Sequence, residues 1–271
     1  MQNEVTVLIL TYNEAPNIRQ TLDQLQWLPH IVVVDSFSDD ETLDILRTYP
    51  QVHLYQRCFD TFAQQCNFGL QQIETEWVLS LDADYVLTDE LIAEIQTVST
   101  ELSIDGYTAR FRYCVFGHPL RGTLYPPRQV LYRRSKAAYI DDGHGHRVQV
   151  AGQSKMLDGY IHHDDRKPLK RWLWAQDKYM VIEARKLHNT PVSQLNLADR
   201  IRRYKLLAPF VVFLYCLLVN RVLLDGWPGW YYAFQRMVAE IILSIRLIEL
   251  EKLQPENTDA ANADTVSSGP L

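Results

Sequence analysis

The feature that most constrains this chain is a short run, Ile31-Val32-Val33-Val34, that is apolar at every position. Successive side chains of a strand point to opposite faces, so a half-solvated strand alternates apolar and polar residues. An unbroken β-branched run belongs instead to a strand covered on both faces, as in a parallel sheet between helices. The surroundings fit: residues 5–10, 52–55 and 77–81 are further apolar runs, separated by amphipathic stretches near 17–27, 40–48 and 61–73. This alternation predicts an α/β fold with a mostly parallel central sheet and helices on both faces. Ser38-Asp39-Asp40-Glu41 has the spacing of a capping box, which predicts a helix directly after the second strand's loop. Beyond Gly106 the runs at 107–116 and 129–133 are aromatic-rich and separated by Gly and Pro, which predicts a mixed or antiparallel extension of the sheet.

Open α/β sheets bind ligands at the carboxyl ends of their parallel strands. Three polar groups fall there: Thr11-Tyr12-Asn13-Glu14 after the first strand, Asp35 after the second and Asp82-Ala83-Asp84 after the fourth. Two carboxylates one residue apart can hold a hard divalent cation and a neighbouring hydroxyl. A lone Asp-x-Asp is common by chance; its coincidence with the other two strand ends carries the weight.

The run from Val5 to Glu14, Ile31-Val32-Val33-Val34-Asp35-Ser36 with Ser38-Asp39-Asp40-Glu41-Thr42, and Leu79-Ser80-Leu81-Asp82-Ala83-Asp84 together resemble glycosyltransferase family 2. The resemblance is to its bacterial lipopolysaccharide core β-glucosyltransferase branch, and it is specific through about Glu90. It implies a GT-A-type, Rossmann-like fold and a nucleotide-sugar donor held by Thr11, Tyr12, Glu14, Asp35 and Asp82. It further implies Mg²⁺ or Mn²⁺ on Asp84, with Gln64 and Asn67 lining the nucleotide pocket. As ordinary polar residues on a helix face, Gln64 and Asn67 read equally well.

Inverting sugar transfer needs a base for the acceptor hydroxyl, opposite the leaving diphosphate. That branch of the family carries a His-Glu pair after its aromatic strands; here the region reads Asp141-Asp142-Gly143-His144-Gly145-His146, with His146 where the Glu would be. The candidate bases are His146, oriented by Asp142, or Asp142 itself, since a neutral imidazole can serve near pH 7. The later His of the family corresponds to His162 or His163, with His162 favoured as a metal ligand beside Asp84. Arg128, Arg133 and Arg134 can meet phosphate or simply cap strand ends.

Residues 206–219 carry no charge but are shorter than the ~20 residues a spanning helix needs. After them Phe234, Met237, Val238, Ile241, Ile242, Ile245 and Ile248 repeat with helical spacing, opposite Gln235, Arg236, Glu240, Ser244 and Arg246. Such a helix either covers a core or lies on a membrane; the basic residues Arg200, Arg202, Arg203 and Lys205 and the cluster Trp227, Trp230, Tyr231 and Tyr232 favour the membrane surface. The expected organisation is a catalytic domain over 1–195, a C-terminal helical, membrane-interfacial segment over 196–253 and a disordered tail over 254–271.

A net charge of −6 argues against nucleic acid as a partner. Four scattered cysteines without a C-x-x-C pair, and no signal-peptide core at the N-terminus, point to the cytoplasm. The expected function is metal-dependent, inverting transfer of a hexose from a uridine diphosphate sugar. The acceptor is a membrane-associated glycan or lipid, in envelope polysaccharide or lipopolysaccharide synthesis at the cytoplasmic face of the inner membrane. The alternatives are transfer to a polyprenyl phosphate, which needs no base, and a non-catalytic nucleotide-sugar-binding protein.

Overall fold

The structure is a computed structural model that describes residues 4–98, 103–142 and 145–253; the side chains at 98, 142, 145 and 146 fall outside the description. His144, Gly143 and the expected tail at 254–271 lie outside the described residues. The first half builds β1 (Val5–Thr11), α1 (Ile18–Asp23), β2 (Ile31–Asp35), α2 (Thr42–Arg47), β3 (Val52–Gln56), α3 (Phe62–Gln71) and β4 (Trp77–Asp82). These four strands are parallel in the order β3-β2-β1-β4. As the unbroken apolar run requires, every residue of β2 is buried.

The two faces of the sheet are covered by different helices. Val5, Val7, Ile9, Ile31 and Val33 pack with Ile18 and Leu22 of α1 and with Ile45 and Leu46 of α2. Their sequence neighbours Leu8, Val32 and Val34 point the other way, onto Ala63, Cys66 and Leu70 of α3. Fully burying one such aliphatic side chain contributes roughly 1.5–3 kcal/mol. The register of these two strands is therefore held by both faces at once.

The second half continues through β5 (Tyr85–Leu87), α4 (Asp89–Val98), β6 (Gly106–Val115), β7 (His118–Pro119), β8 (Arg128–Arg133), β9 (Ala137–Asp142), β10 (Gly145–Val150) and β11 (Ser154–His163). Antiparallel β8 joins β4 to β6, and β11 then runs parallel to β6 and antiparallel to β5. The expected mixed extension is thus present, and β9 and β10 form a separate antiparallel hairpin. One local expectation fails. Ser38 does not cap α2, because its hydroxyl donates to Asp35 Oδ2; the helix starts at Thr42, whose N–H donates to Asp40 Oδ1 at 2.9 Å.

The C-terminal helices are α5 (Leu169–Asn189), α6 (Leu197–Arg202), α7 (Ala208–Leu214), extended by a π-helical turn over Tyr215–Val219, and α8 (Trp227–Leu253). Met180, Ala184 and Leu187 of α5 pack on Leu243 and Leu247 of α8, so the helical layer takes in residues before position 196. Among the described residues no helix is long and apolar enough to cross a membrane. α8 turns Glu240 and Ser244 inward and leaves Phe234, Val238, Ile241, Ile245 and Ile248 exposed. The buried carboxylates of Glu240, Glu183 and Asp199 surround Arg202, at 3.1, 3.5 and 3.6 Å.

Removing the cation from such a group strands its acids in a poorly solvated site. Arg202→Met is expected to lose about 3–5 kcal/mol of stability, read from urea unfolding. A loss below the range of an ordinary surface substitution, about 0.5 kcal/mol, would show that the cluster is solvated rather than buried.

Candidate active site

Parallel register sets the site. Thr11 lies opposite Asp35 across β1–β2, and Leu10 lies opposite Asp82 across β1–β4, so the three polar strand ends stop at one level. Asp35 is fully buried there and accepts from Thr11 Oγ1 at 2.8 Å, from the Ser38 N–H at 2.9 Å, from the Ser38 hydroxyl and from Gln56 Nε2 at 3.4 Å. Those bonds fill the acceptor capacity of a carboxylate. The β1–α1 loop is tied across to the next loop by Asn13 N–H to Ser38 Oγ at 2.9 Å and Glu14 N–H to Thr42 Oγ1 at 2.8 Å. Asn13 and Phe37 take left-handed backbone angles, φ 56° and 59°, and Tyr12 and Phe37 project outward from these two loops.

The second half of the site comes from the end of β11. His163 Nε2 lies 3.0 Å from Asp84 Oδ2. The imidazole is boxed by Tyr85, Tyr113 and Tyr125, with ring centroids 5.3, 5.1 and 4.9 Å away. Burial disfavours its protonation, but the charge and hydrogen bond of Asp84 outweigh burial and hold His163 above its ordinary value. Burial likewise works against ionised Asp84, yet His163 and Lys167 together bring its carboxyl below the usual range.

Beyond β11 the chain turns back over the first loop. Lys167 Nζ pairs with Glu14 Oε1, and Asn17 Nδ2 donates both to Glu14 Oε2 at 3.0 Å and to Asp165 Oδ1 at 3.1 Å. Burial pushes the Glu14 carboxyl up to about 7 despite the opposing charge of Lys167. Burial also disfavours the Lys167 ammonium, but Glu14 and Asp165 outweigh it. A cavity lined by Tyr113, Phe116, Asp165, Lys167, Trp172 and Gln235 opens between this cluster and α8.

The profile of Glycosyl transferase family 2 matches residues 6–147, which contain β1, the loops tied by Asp35 and the Asp82-Ala83-Asp84 strand end. The chain belongs to glycosyl transferase family 2. Among curated relatives it is 24% identical to the lipopolysaccharide core biosynthesis glycosyltransferase LpsC of Rhizobium meliloti, over 95% of this chain and 97% of that protein. It is 31% identical to the SPbeta prophage-derived glycosyltransferase SunS of Bacillus subtilis over 48% of this chain, a match that spans only 31% of SunS. The crystal structure of S. aureus TarS 1-349 in complex with UDP-GlcNAc superposes with a TM-score of 0.47 at 17% identity, covering 93% of this chain and 92% of that one. The sheet, with its parallel β3-β2-β1-β4 order extended by antiparallel β8, is of the GT-A type that the family resemblance implies.

Within this family frame the residues singled out from the sequence fall into three groups. Thr11, Tyr12, Glu14, Asp82 and Asp84 converge at the carboxyl ends of β1 and β4. Asp35 sits beneath the loops as their internal brace rather than at their surface. Asn67 is turned away from the strand ends: its amide donates to and accepts from the backbone of Tyr139, both at 3.0 Å, and so anchors β9 to α3. Gln64 is exposed in a groove that it lines with Asn67, Gln71 and Arg134, whereas its neighbour Gln65 is buried and donates to Ser36 Oγ at 2.9 Å.

The histidine at Asp84 is His163, not His162. Adjacent strand residues point to opposite faces, and β11 turns His162 toward Arg112, half-buried, with its protonation disfavoured by burial and by that guanidinium. His163 enters the sequence reading only as the alternative to His162, and Lys167, Asp165 and Gln65 are not among its site candidates; the adjacent His162-His163-Asp164-Asp165 and the basic run from Arg166 are the sequence signals that point to the first three. β9 runs beside β4, with Arg134 N–H on Glu76 O and Tyr139 OH on Ser80 Oγ, so its end at Asp142 rises toward the level of Asp82. His146 lies opposite Asp141 on β10, and no side-chain position is described for Asp142 or His146.

Asp84 and His163 are the described residues at the strand ends whose chemistry suits a divalent cation of the kind the family implies. Asp84 Oδ2 and His163 Nε2 are held together here as a hydrogen-bonded pair; a carboxylate oxygen and a deprotonated imidazole nitrogen are donor types that Mg²⁺ or Mn²⁺ accepts. Among the described residues no three His, Cys, Asp or Glu side chains gather as a closed ligand set. A cation held here would keep open positions for diphosphate oxygens and water.

The Glu14–Lys167 pair makes a pH-dependent prediction. A carboxyl raised from 4.5 to about 7 keeps a proton that the unfolded chain releases, so this group subtracts stability as pH rises through that window. Lys167→Met removes the opposing charge and moves the window upward. Its stability deficit against wild type is expected to be larger at mildly alkaline than at mildly acidic pH, read from urea midpoints; equal deficits would contradict the pairing.

Proposed function

We propose that this chain is an inverting, metal-dependent hexosyltransferase. It takes a nucleotide sugar, a uridine diphosphate sugar, as donor and a hydroxyl of a membrane-associated glycan or lipid as acceptor. It works in envelope polysaccharide or lipopolysaccharide synthesis, at the cytoplasmic face of the inner membrane. The observation that carries this reading is the convergence of Asp84 and His163 at the carboxyl end of β4, beside the loops braced by Asp35. The name of the LpsC relative, aligned over nearly the whole chain, supports the lipopolysaccharide context.

In this reading Tyr12 and Phe37, exposed on the two tied loops, flank the nucleoside, and Asp82 meets the ribose or diphosphate. Asp84 and His163 hold Mg²⁺ or Mn²⁺, which when bound neutralises charge on the leaving diphosphate. Lys167, kept charged by Glu14 and Asp165, adds a fixed cation on the same side. The base removes the acceptor hydroxyl proton as its oxygen bonds to the anomeric carbon, and the bond from that carbon to the diphosphate breaks with inversion. His146, oriented by Asp142, or Asp142 itself is the sequence's candidate, both on the β9–β10 hairpin. Asp165 is a second candidate: it lines the cavity beside Lys167, and Asn17 and the Lys167 N–H fix its Oδ1.

Isothermal titration with uridine diphosphate, with and without Mn²⁺, tests the donor site. Wild type is expected to bind with metal, and Asp84→Ala or His163→Ala to weaken binding by roughly tenfold to a hundredfold or more. Absence of binding in every condition would refute the uridine-donor reading. Among Asp142→Asn, His146→Gln and Asp165→Asn, the variant that keeps donor binding but loses roughly a hundredfold or more of transfer rate identifies the base.

A further inference from the structure

α8 is inside-out for a helix that only covers a protein core. Its inward side carries Glu240 and Ser244 with Ala239, Leu243 and Leu247, while Phe234 and Ile245, each 53% exposed, head a stripe that faces away from the protein. That stripe, Trp227, Trp230, Phe234, Val238, Ile241, Ile245 and Ile248, repeats every three or four residues and runs about 30 Å along the helix. α7 and its π-helical turn present a second stripe, with Phe210, Leu214 and Leu218 exposed. Phe213 joins the two, its ring 6.1 Å from Trp230 and 5.4 Å from Phe234. The result is one continuous apolar face, and soluble surfaces rarely leave such a face uncovered.

We propose that this face lies in the surface of a lipid bilayer bearing anionic head groups, with α7 and α8 parallel to the membrane plane. Three observations select lipid over a second copy of the chain. The segment from Tyr204 to Leu224 contains no acidic residue. Arg200 and Arg203 precede it and Arg221 lies within it, all without a carboxylate partner among the described residues; Arg200 and Arg203 bond only backbone carbonyls, of Leu195, Ser193 and Thr190. Tyr204, Tyr215, Trp227 and Trp230 are exposed on the same layer, and such rings favour the water–hydrocarbon boundary. A second copy packed on this face through the same segment would bring it no carboxylate, because the segment has none.

The face is also coupled to the site. Tyr232, on the inner side of α8, receives a hydrogen bond from Leu124 N–H at 2.9 Å and packs 4.9 Å from Tyr113, one wall of the His163 box. The cavity beside Asp165 and Lys167 is bounded by Tyr231 and Gln235 of the same helix. Seating α8 on a membrane therefore places the helix that walls this cavity at the lipid surface. Lipid binding itself does not depend on the sugar-transfer reading.

The test is flotation of the full chain with phosphatidylcholine vesicles and with vesicles that also contain phosphatidylglycerol, together with sedimentation velocity without lipid. Wild type is expected to float with the anionic vesicles and to release as salt is raised. Ile241→Glu/Ile245→Glu should stay unbound, and Arg200→Gln/Arg203→Gln should bind roughly tenfold or more weakly, while both keep the wild-type circular dichroism spectrum and uridine diphosphate binding. The arginine pair keeps the test decisive if the glutamate variant fails to fold. Equal flotation of the variants, no flotation of wild type, or a stable dimer that the glutamate variant splits would overturn the proposal.

Discussion

Burial on both faces of β1, β2 and β4 leaves few polar side chains within the strands, Thr6 and Ser80 among them, and concentrates the others where the strands stop. With the strands parallel and in register, Thr11, Asp35 and Asp82 reach that boundary together. Asp35 remains fully buried at that boundary, its carboxylate bonded to Thr11, Ser38 and Gln56. It ties the first two loops into a single edge, against which the later chain can close. The outward polar groups of the site rest on this brace.

Closure comes from residues far away in sequence. β11, inserted between β6 and β5, delivers His163 to Asp84, and the following turn delivers Asp165 and Lys167 to Asn17 and Glu14. Each partner alone is an expensive thing to bury: a carboxylate, an ammonium, an imidazole. They are tolerated because each meets an opposite charge or a hydrogen bond, and because Tyr85, Tyr113 and Tyr125 leave the imidazole one orientation. This is how a site keeps strong local charges without being a closed metal cage.

The C-terminal layer follows the opposite logic. Its inner contact is partly ionic, Arg202 amid Glu183, Asp199 and Glu240, and its outer face is apolar. A water-soluble helix that served only to cover the sheet would gain by the reverse arrangement. The pattern makes sense when the surroundings of the outer face are themselves apolar, and Tyr232 links that face mechanically to the aromatic box around His163.

The fold was legible in the sequence wherever a feature depends on short-range pattern. The all-apolar run at 31–34 marks a buried parallel strand, and Asp82-Ala83-Asp84 falls at a strand end because the apolar run before it stops there. What tertiary structure alone decided is direction. Whether His162 or His163 meets Asp84 depends on the phase of β11, and whether Gln64 or Gln65 faces the strand ends depends on the rotation of α3. Ser38 has the spacing of a cap but is taken by Asp35, and Asn67 by the backbone of Tyr139. The stripe on α8 is plain from its period, but a period does not say which way it points; that is set by the buried charges across the interface. Local sequence fixes which residues share a face, and only packing against distant partners fixes what that face meets.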